Sequence, residues 1–191
     1  NRPRALILAP TRELAAQIGE SIRAYGRHLR HSQVVIFGGV GQHPQVVALQ
    51  RGVDFAVATP GRLLDLMQQG HVRLDAVEIF VLDEADRMFD MGFLPDVRRI
   101  IAKLPARRQS LFFSATMAPE IVALARTLVC DPVQVAIAPE RPTVERIAQK
   151  VMFVEPEQKD ELLAELLRDT RIDRVLVFTR MKHAADEVMR R

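Results

Sequence analysis

Tryptophan is missing from this chain, tyrosine occurs once, at Tyr25, and cysteine once, at Cys130. A single cysteine excludes an internal disulfide and any zinc site built on cysteine pairs. Without tryptophan and with a single tyrosine, the stacking platforms that single-strand-binding proteins offer to bases are not expected, so a nucleic acid held here would be gripped by its backbone. No apolar run approaches the ~20 residues needed to cross a bilayer, and no membrane partner is expected. No leader sequence is visible, which makes the cytoplasm the expected compartment. Lysine is scarce as well. Of the 27 cationic side chains only four are lysine (Lys103, Lys150, Lys159 and Lys182), and none follows a glycine. The phosphate-cradling pattern G-x-x-x-x-G-K-[ST] is therefore absent from the 191 residues.

What remains is an arginine-rich globular composition. Hydrophobic residues make up 48% of the chain and charged residues 27%, with a formal net charge of only +3. Those values suit one large domain, or one domain and part of another. Arginine offers fixed, bidentate geometry to phosphate, and its predominance over lysine suits a phosphate-rich partner.

Short apolar runs alternate with helical patterns. Ala5–Ala9, Val34–Phe37, Phe55–Ala58, Val77–Leu82, Leu111–Phe113 and Val133–Ile137 read as buried strands. Between them lie helices opened by Thr11, by Thr59-Pro60 and by Pro119, a helix from Gln45 to about Gln50, and one from Pro95 to Leu104. Such alternation predicts a doubly wound α/β domain with a parallel sheet. A polar run with two prolines, residues 138–145, is the expected linker. After it the alternation restarts, with strands over Ile147–Val154 and Val175–Phe178, a helix over Glu157–Arg168 whose core face is Leu162, Leu163, Leu166 and Leu167, and a helix from Lys182 onward.

The chemistry-bearing groups stand where strands end. Val77–Leu82 runs into Asp83-Glu84-Ala85-Asp86, three carboxylates in four residues. An apolar strand ending in acid is the Walker B arrangement, in which the first Asp holds a nucleotide's magnesium and the next acid can orient or deprotonate water. The other strand ends carry Pro10-Thr11-Arg12-Glu13-Leu14-Ala15, Gly38-Gly39, Thr59-Pro60-Gly61-Arg62 and Ser114-Ala115-Thr116. Helix N-termini bind anions, and glycine lets a backbone approach closely, so several such turns on one edge could track a phosphodiester backbone without reading bases. Each turn alone could be no more than a helix cap or a bend. His28 and His31 lack a nearby third ligand and read as helix-end cations, and Arg98-Arg99 and Arg107-Arg108 read as solvated faces.

In this order the groups resemble the DEAD-box RNA helicases of superfamily 2: PTRELA is similar to motif Ia, TPGR to motif Ib, DEAD to motif II, SAT to motif III and Val175–Arg180 to motif IV. The wording from Asp86 to Phe93 is similar to bacterial RhlE-type members. The resemblance implies a RecA-like lobe, residues 1–137, and the beginning of a second RecA-like lobe, residues 146–191, with ATP and Mg2+ as cofactors and RNA as partner. It implies that Asp83 binds magnesium through water, that Glu84 activates the hydrolytic water, and that Asp86 bonds toward Ser114 and Thr116. Pro10, Thr11, Arg12, Gly38, Gly39, Thr59, Pro60, Gly61 and Arg62 would contact the RNA backbone, joined by Thr179 and Arg180 from the second lobe. Family members serve ribosome assembly and RNA decay, and proteins of those processes are the further partners it implies.

In that family the glycine–lysine loop and the adenine-reading Q motif would precede Asn1, and motifs V and VI would follow Arg191. The expectation is thus an internal piece of a helicase, inactive in ATP hydrolysis by itself, with a non-catalytic RNA-binding or interfering module as the alternative. The missing loop strand is expected beside the DEAD strand, which would leave two strands without a partner and the chain marginally stable.

Overall fold

A computed structural model describes residues 2–129, 131–136, 148–169 and 172–190. The chain divides into two compact units, Asn1–Gln134 and Val135–Arg191.

The first unit is built on strands β1 (Ala5–Leu8), β2 (Gln33–Ile36), β3 (Phe55–Ala58), β4 (Ile79–Leu82) and β5 (Gln109–Phe112). They form one parallel sheet in the order β2-β3-β1-β4-β5. Side chains alternate between the faces, so β1 sends Leu6 and Leu8 one way and Ile7 and Ala9 the other. On the first face Leu6, Leu8, Ile36, Phe80 and Leu82 are buried beneath α2 (His43–Arg51), α3 (Pro60–Gln68), α4 (Ala85–Asp90), α5 (Leu94–Ile101) and α6 (Pro119–Leu128). On the second face α1 (Arg12–Tyr25) lays Leu14, Ile18 and Ile22 over Ile7 and Val57. The spacing of those three apolar residues puts them on one stripe, and Thr11 opens the helix by accepting the Leu14 N–H at 3.3 Å. These three are partly buried, so each contributes less than the roughly 1.5–3 kcal/mol of a fully buried side chain.

The β4–β5 part of the second face is thinly covered. Ile79 is 40% exposed, and Val81 and its register partner Leu111 are only half-buried. No helix among the described residues is long and apolar enough to cross a membrane.

Several expectations are corrected. The DEAD strand does not lack a neighbour: β4 is paired in parallel to β1 on one side and to β5 on the other. Any further strand of this sheet could join only at the outer edge of β5 or of β2, because the interior positions are filled. Residues 133–136 of the expected sixth strand are not a strand, and Val133 and Val135 stand exposed. In the second unit, residues 148–154 and 175–178 likewise form no strand, and Phe153, Leu176 and Phe178 are exposed. A strand exists only by pairing, and these runs find no partner among the described residues. Helices close their own hydrogen bonds, and so a 3-10 turn (Pro156–Gln158), α7 (Lys159–Leu167) and α8 (Lys182–Arg190) do form. The leucines of α7 are not a packed core face, for Leu166 and Leu167 are exposed. The expected linker 138–145 lies outside the described residues. Arg108 is also not a free surface cation: its guanidinium carbon lies 6.0 Å from the Phe80 ring centroid and its Nη1 donates to the Pro105 carbonyl at 2.6 Å.

Phe80 is fully buried at the centre of this packing. Phe80→Ala is expected to cost about 3–5 kcal/mol in urea unfolding, whereas Ile79→Ser on the thinly covered face should stay within about 1 kcal/mol. Equal losses at both positions would contradict the packing described.

Candidate functional site

All five strands run the same way, so their carboxyl ends and the turns that follow come out along one edge. The spatial order of those turns differs from their order in the chain. Along the edge they run Gly38-Gly39, Thr59–Arg62, Pro10–Arg12, Asp83–Asp86 and Ser114–Thr116. Two groups result, one of glycines and arginines after β2, β3 and β1, the other of carboxylates and hydroxyls after β4 and β5.

In the second group the exit of β4 is sewn to both neighbours. The Asp83 N–H donates to the Leu8 carbonyl at 3.0 Å, and the Ala85 N–H to the Phe113 carbonyl at 3.1 Å. Glu84 between them is left-handed, with φ 48° and ψ 53°, a conformation uncommon for a residue with a side chain. Its N–H donates to Asp83 Oδ1 at 2.9 Å, and Arg87 Nη1 lies 3.4 Å from its Oε2. Asp83 Oδ2 has no hydrogen bond among the described residues.

Asp86 reaches across to β5. Its Oδ2 accepts the Thr116 N–H at 2.9 Å and the Thr116 hydroxyl at 3.0 Å, while its own N–H donates to Ser114 Oγ at 3.3 Å. The Ser114 hydroxyl donates a hydrogen bond to the Thr116 carbonyl at 2.8 Å. Partial burial pushes the Asp86 carboxyl up, but the Thr116 hydroxyl, the Arg87 and Thr116 N–H groups and Ser114 together outweigh it and hold the group below the usual carboxylate range.

The first group is braced differently. Thr11 spends its hydroxyl on capping α1. Thr59 stands at the N-cap of α3 with Pro60 following, yet its buried side chain makes no capping bond. Arg12 is exposed, has no ion pair among the described residues, and lies against Gly39, where a Cβ would come within 2.5 Å of its Nη1. Gly39 also has φ +79°, and this backbone conformation, rather than the contact with the flexible Arg12 side chain, is what favours glycine there. Arg62 is less open than its place in TPGR suggested: only 15% of its side chain is exposed, and Nη2 donates to the Val40 carbonyl at 3.1 Å. Sequence reasoning passed over Gln45, a buried polar residue on α2 whose amide reaches the Phe37 carbonyl. The one signal for it was a glutamine in the first turn of a helix that follows a glycine pair. Thr179 and Arg180 belong to the second unit, where Thr179 Oγ1 donates to the Met181 carbonyl at 3.0 Å.

Among the described residues no group of three or more histidine, cysteine or acidic side chains could cage a metal. His31 instead packs its ring edge-on against Phe55 at 5.6 Å. A single free carboxylate oxygen on Asp83 fits magnesium, which keeps most of its waters and is commonly held by one or two carboxylates together with phosphates. Among the described residues, none of the turns at the strand ends of the first unit carries a lysine to cradle a triphosphate.

The model of the DEAD/DEAH box helicase family matches residues 1–124. "ATP-dependent RNA helicase RhlB" of Pseudomonas putida is 45% identical over 98% of this chain and 47% of its own length. "DEAD-box ATP-dependent RNA helicase 40" of Oryza sativa is 42% identical over 98% of this chain and 24% of its own. The chain thus spans less than half the length of these relatives. A crystal structure titled as a hypothetical ATP-dependent RNA helicase from Sulfolobus tokodaii superposes with a TM-score of 0.64 at 38% identity, covering 68% of this chain and 39% of that one.

The Asp86 carboxylate is stabilised by bonds that need it ionised, so its folded value lies below the unfolded one. Its contribution is therefore complete above the unfolded value of about 3.9 and drains away as pH falls through the lower folded value. An NMR titration should show Asp86 ionising below an unstructured aspartate, and Thr116→Val should move the midpoint upward. An unmoved midpoint would remove Thr116 as the main stabilising partner.

Proposed function

The chain belongs to the DEAD/DEAH box helicase family, and on that footing we propose that it supplies the RNA-gripping and water-activating parts of an ATP-dependent RNA helicase. The observation that carries this reading is the division of the edge. Cationic and glycine-bearing turns occupy the β2-β3-β1 half, and Asp83, Glu84 and Asp86 occupy the β4 turn beside them.

On the first half, Arg12 offers a guanidinium with no ion pair among the described residues, and the N-termini of α1 and α3 add positive dipole ends. These groups recognise phosphates rather than bases, so sequence-independent binding of single-stranded RNA is the expected result. On the second half, Asp83 presents Oδ2 to magnesium, which supplies positive charge to the phosphates of a nucleotide when bound. Glu84 stands at the N-cap of α4 with its Oε2 3.4 Å from Arg87 Nη1, and its carboxylate would orient a water and accept its proton. Asp86 ties that turn to Ser114 and Thr116, so a displacement on either strand end is felt on the other. ATP hydrolysis and strand separation are proposed for a whole protein of the relatives' length. RNA binding without hydrolysis is the second reading, favoured for this chain by the absence of a glycine–lysine loop from its sequence.

Two measurements test these assignments. Arg12→Ala should weaken binding of the 191-residue chain to unrelated single-stranded RNAs by similar factors and lower the salt slope by roughly one contact. A strong change in sequence preference would contradict backbone recognition. Spliced into a relative that supplies the glycine–lysine loop, the chain should support RNA-stimulated ATP hydrolysis, and Glu84→Gln should reduce turnover about 100-fold or more. Normal turnover in that variant would remove Glu84 from the water-activating role.

A further inference from the structure

Gln45 and Thr59 are the polar side chains buried among the described residues. Gln45 lies in the first turn of α2, where a glutamine ordinarily reaches back to cap its own helix. It does not do so here, for α2 has no side-chain cap. Its Nε2 instead donates to the Phe37 carbonyl at 3.0 Å, eight residues back, at the start of the Gly38-Gly39 turn. Its Oε1 is buried with no partner. Reversing the amide would set two oxygens against each other, so the donor must face Phe37. A buried amide that leaves one end unsatisfied in order to hold a loop carbonyl calls for a functional explanation.

The geometry of the peptide supplies one. Every described peptide is trans, and in a trans peptide the C=O and the following N–H point in opposite directions. Drawing the Phe37 carbonyl toward Gln45 therefore turns the Gly38 N–H away from α2. At the other end of the turn Arg62 draws the Val40 carbonyl inward at 3.1 Å, which turns the Gly41 N–H outward in the same manner. Neither N–H has a hydrogen bond among the described residues. A Cβ at Gly38 or Gly41 would meet nothing within 4 Å, so the chain's own packing does not require glycine at either position. The space beside these donors is left open.

We propose that Gln45 is a positioning residue for the RNA grip: it fixes the Phe37–Gly38 peptide so that the turn presents backbone N–H donors to an RNA phosphate. Gln45 does not itself touch RNA. The proposal rests on the reading of this edge as an RNA-binding surface.

The test uses the 191-residue chain and a fluorescein-labelled oligouridylate, with Kd measured by anisotropy across a salt series. Gln45→Met keeps the length and volume of the side chain but has no donor, and Gln45→Ala is a second variant should the first not fold. The expected result is a Kd raised about five- to tenfold, the scale of one lost hydrogen bond or phosphate contact, with the salt slope reduced by roughly one. In the RNA-free protein, 15N relaxation should show lower order at Gly38 to Gly41, with Leu6 and Ala56 unchanged and the melting midpoint within a few degrees. A folded variant with wild-type Kd and slope overturns the proposal while the RNA reading stands. Weaker binding that follows a lowered melting midpoint, with the order at Gly38 unchanged, also overturns it, because the residue is then only structural. Failure of the wild-type chain to bind the oligonucleotide removes the RNA reading and the proposal together.

Discussion

The level parallel register of β1 with its two neighbours is the constraint on which the rest of the site depends. Leu8 stands opposite Ala58 on one side and Leu82 on the other. The exits of three strands are therefore side by side, and main-chain bonds sew them there, Ala9 N–H to the Ala58 carbonyl and Asp83 N–H to the Leu8 carbonyl, while Phe113 N–H to the Leu82 carbonyl adds β5 as a fourth. A slip of one residue would turn Leu8 and Leu82 to the opposite face and tear the Asp83 turn from its neighbour. Burial of those leucines on one face holds the register, and the register places the carboxylates.

Strain and charge are concentrated where the sheet is best able to hold them. The left-handed backbone at Glu84 costs on the order of 1–2 kcal/mol, and the bonds on either side of it, to Asp83 and from Ala85 to Phe113, each contribute roughly 1 kcal/mol. Conformations of this kind persist where surrounding structure over-determines them. Three carboxylates share this turn, and Asp86 is satisfied by N–H and hydroxyl donors rather than by an arginine. The guanidiniums of Arg12 and Arg62 stand on the other half of the edge, and Arg87 is the cation beside the carboxylates.

The second unit shows what pairing contributes. Residues 148–154 and 175–178 have the apolar composition of buried strands, yet they form none, and Val151, Phe153, Leu176 and Phe178 are exposed. α7 and α8 form in the same unit, since a helix finds its partners within four residues. Apolar runs of similar composition in the first unit are strands because β1 offers both of its edges to them.

Much of the first unit was legible from local pattern. Phe55–Ala58, the Thr59-Pro60 helix start, the Pro119 start and the Asp83–Asp86 turn lie where apolar runs, caps and acids put them, because those signals act within a few residues. The carboxylates, glycines and arginines that stand at the strand ends were visible for the same reason. The strand order could not be read in this way: that the DEAD strand lies between β1 and β5, and that the glycine turn is neighbour to TPGR, depends on pairings between residues far apart in the chain. Nor could the inward turn of Arg62, the left-handed Glu84 or the hold of Gln45 on Phe37 be found by pattern, since each is a bond to a carbonyl or a turn that only the folded sheet brings within reach. The chain by itself determined which groups would stand at strand ends. Tertiary structure decided which of them stand together, because a parallel sheet takes its neighbours from distant segments.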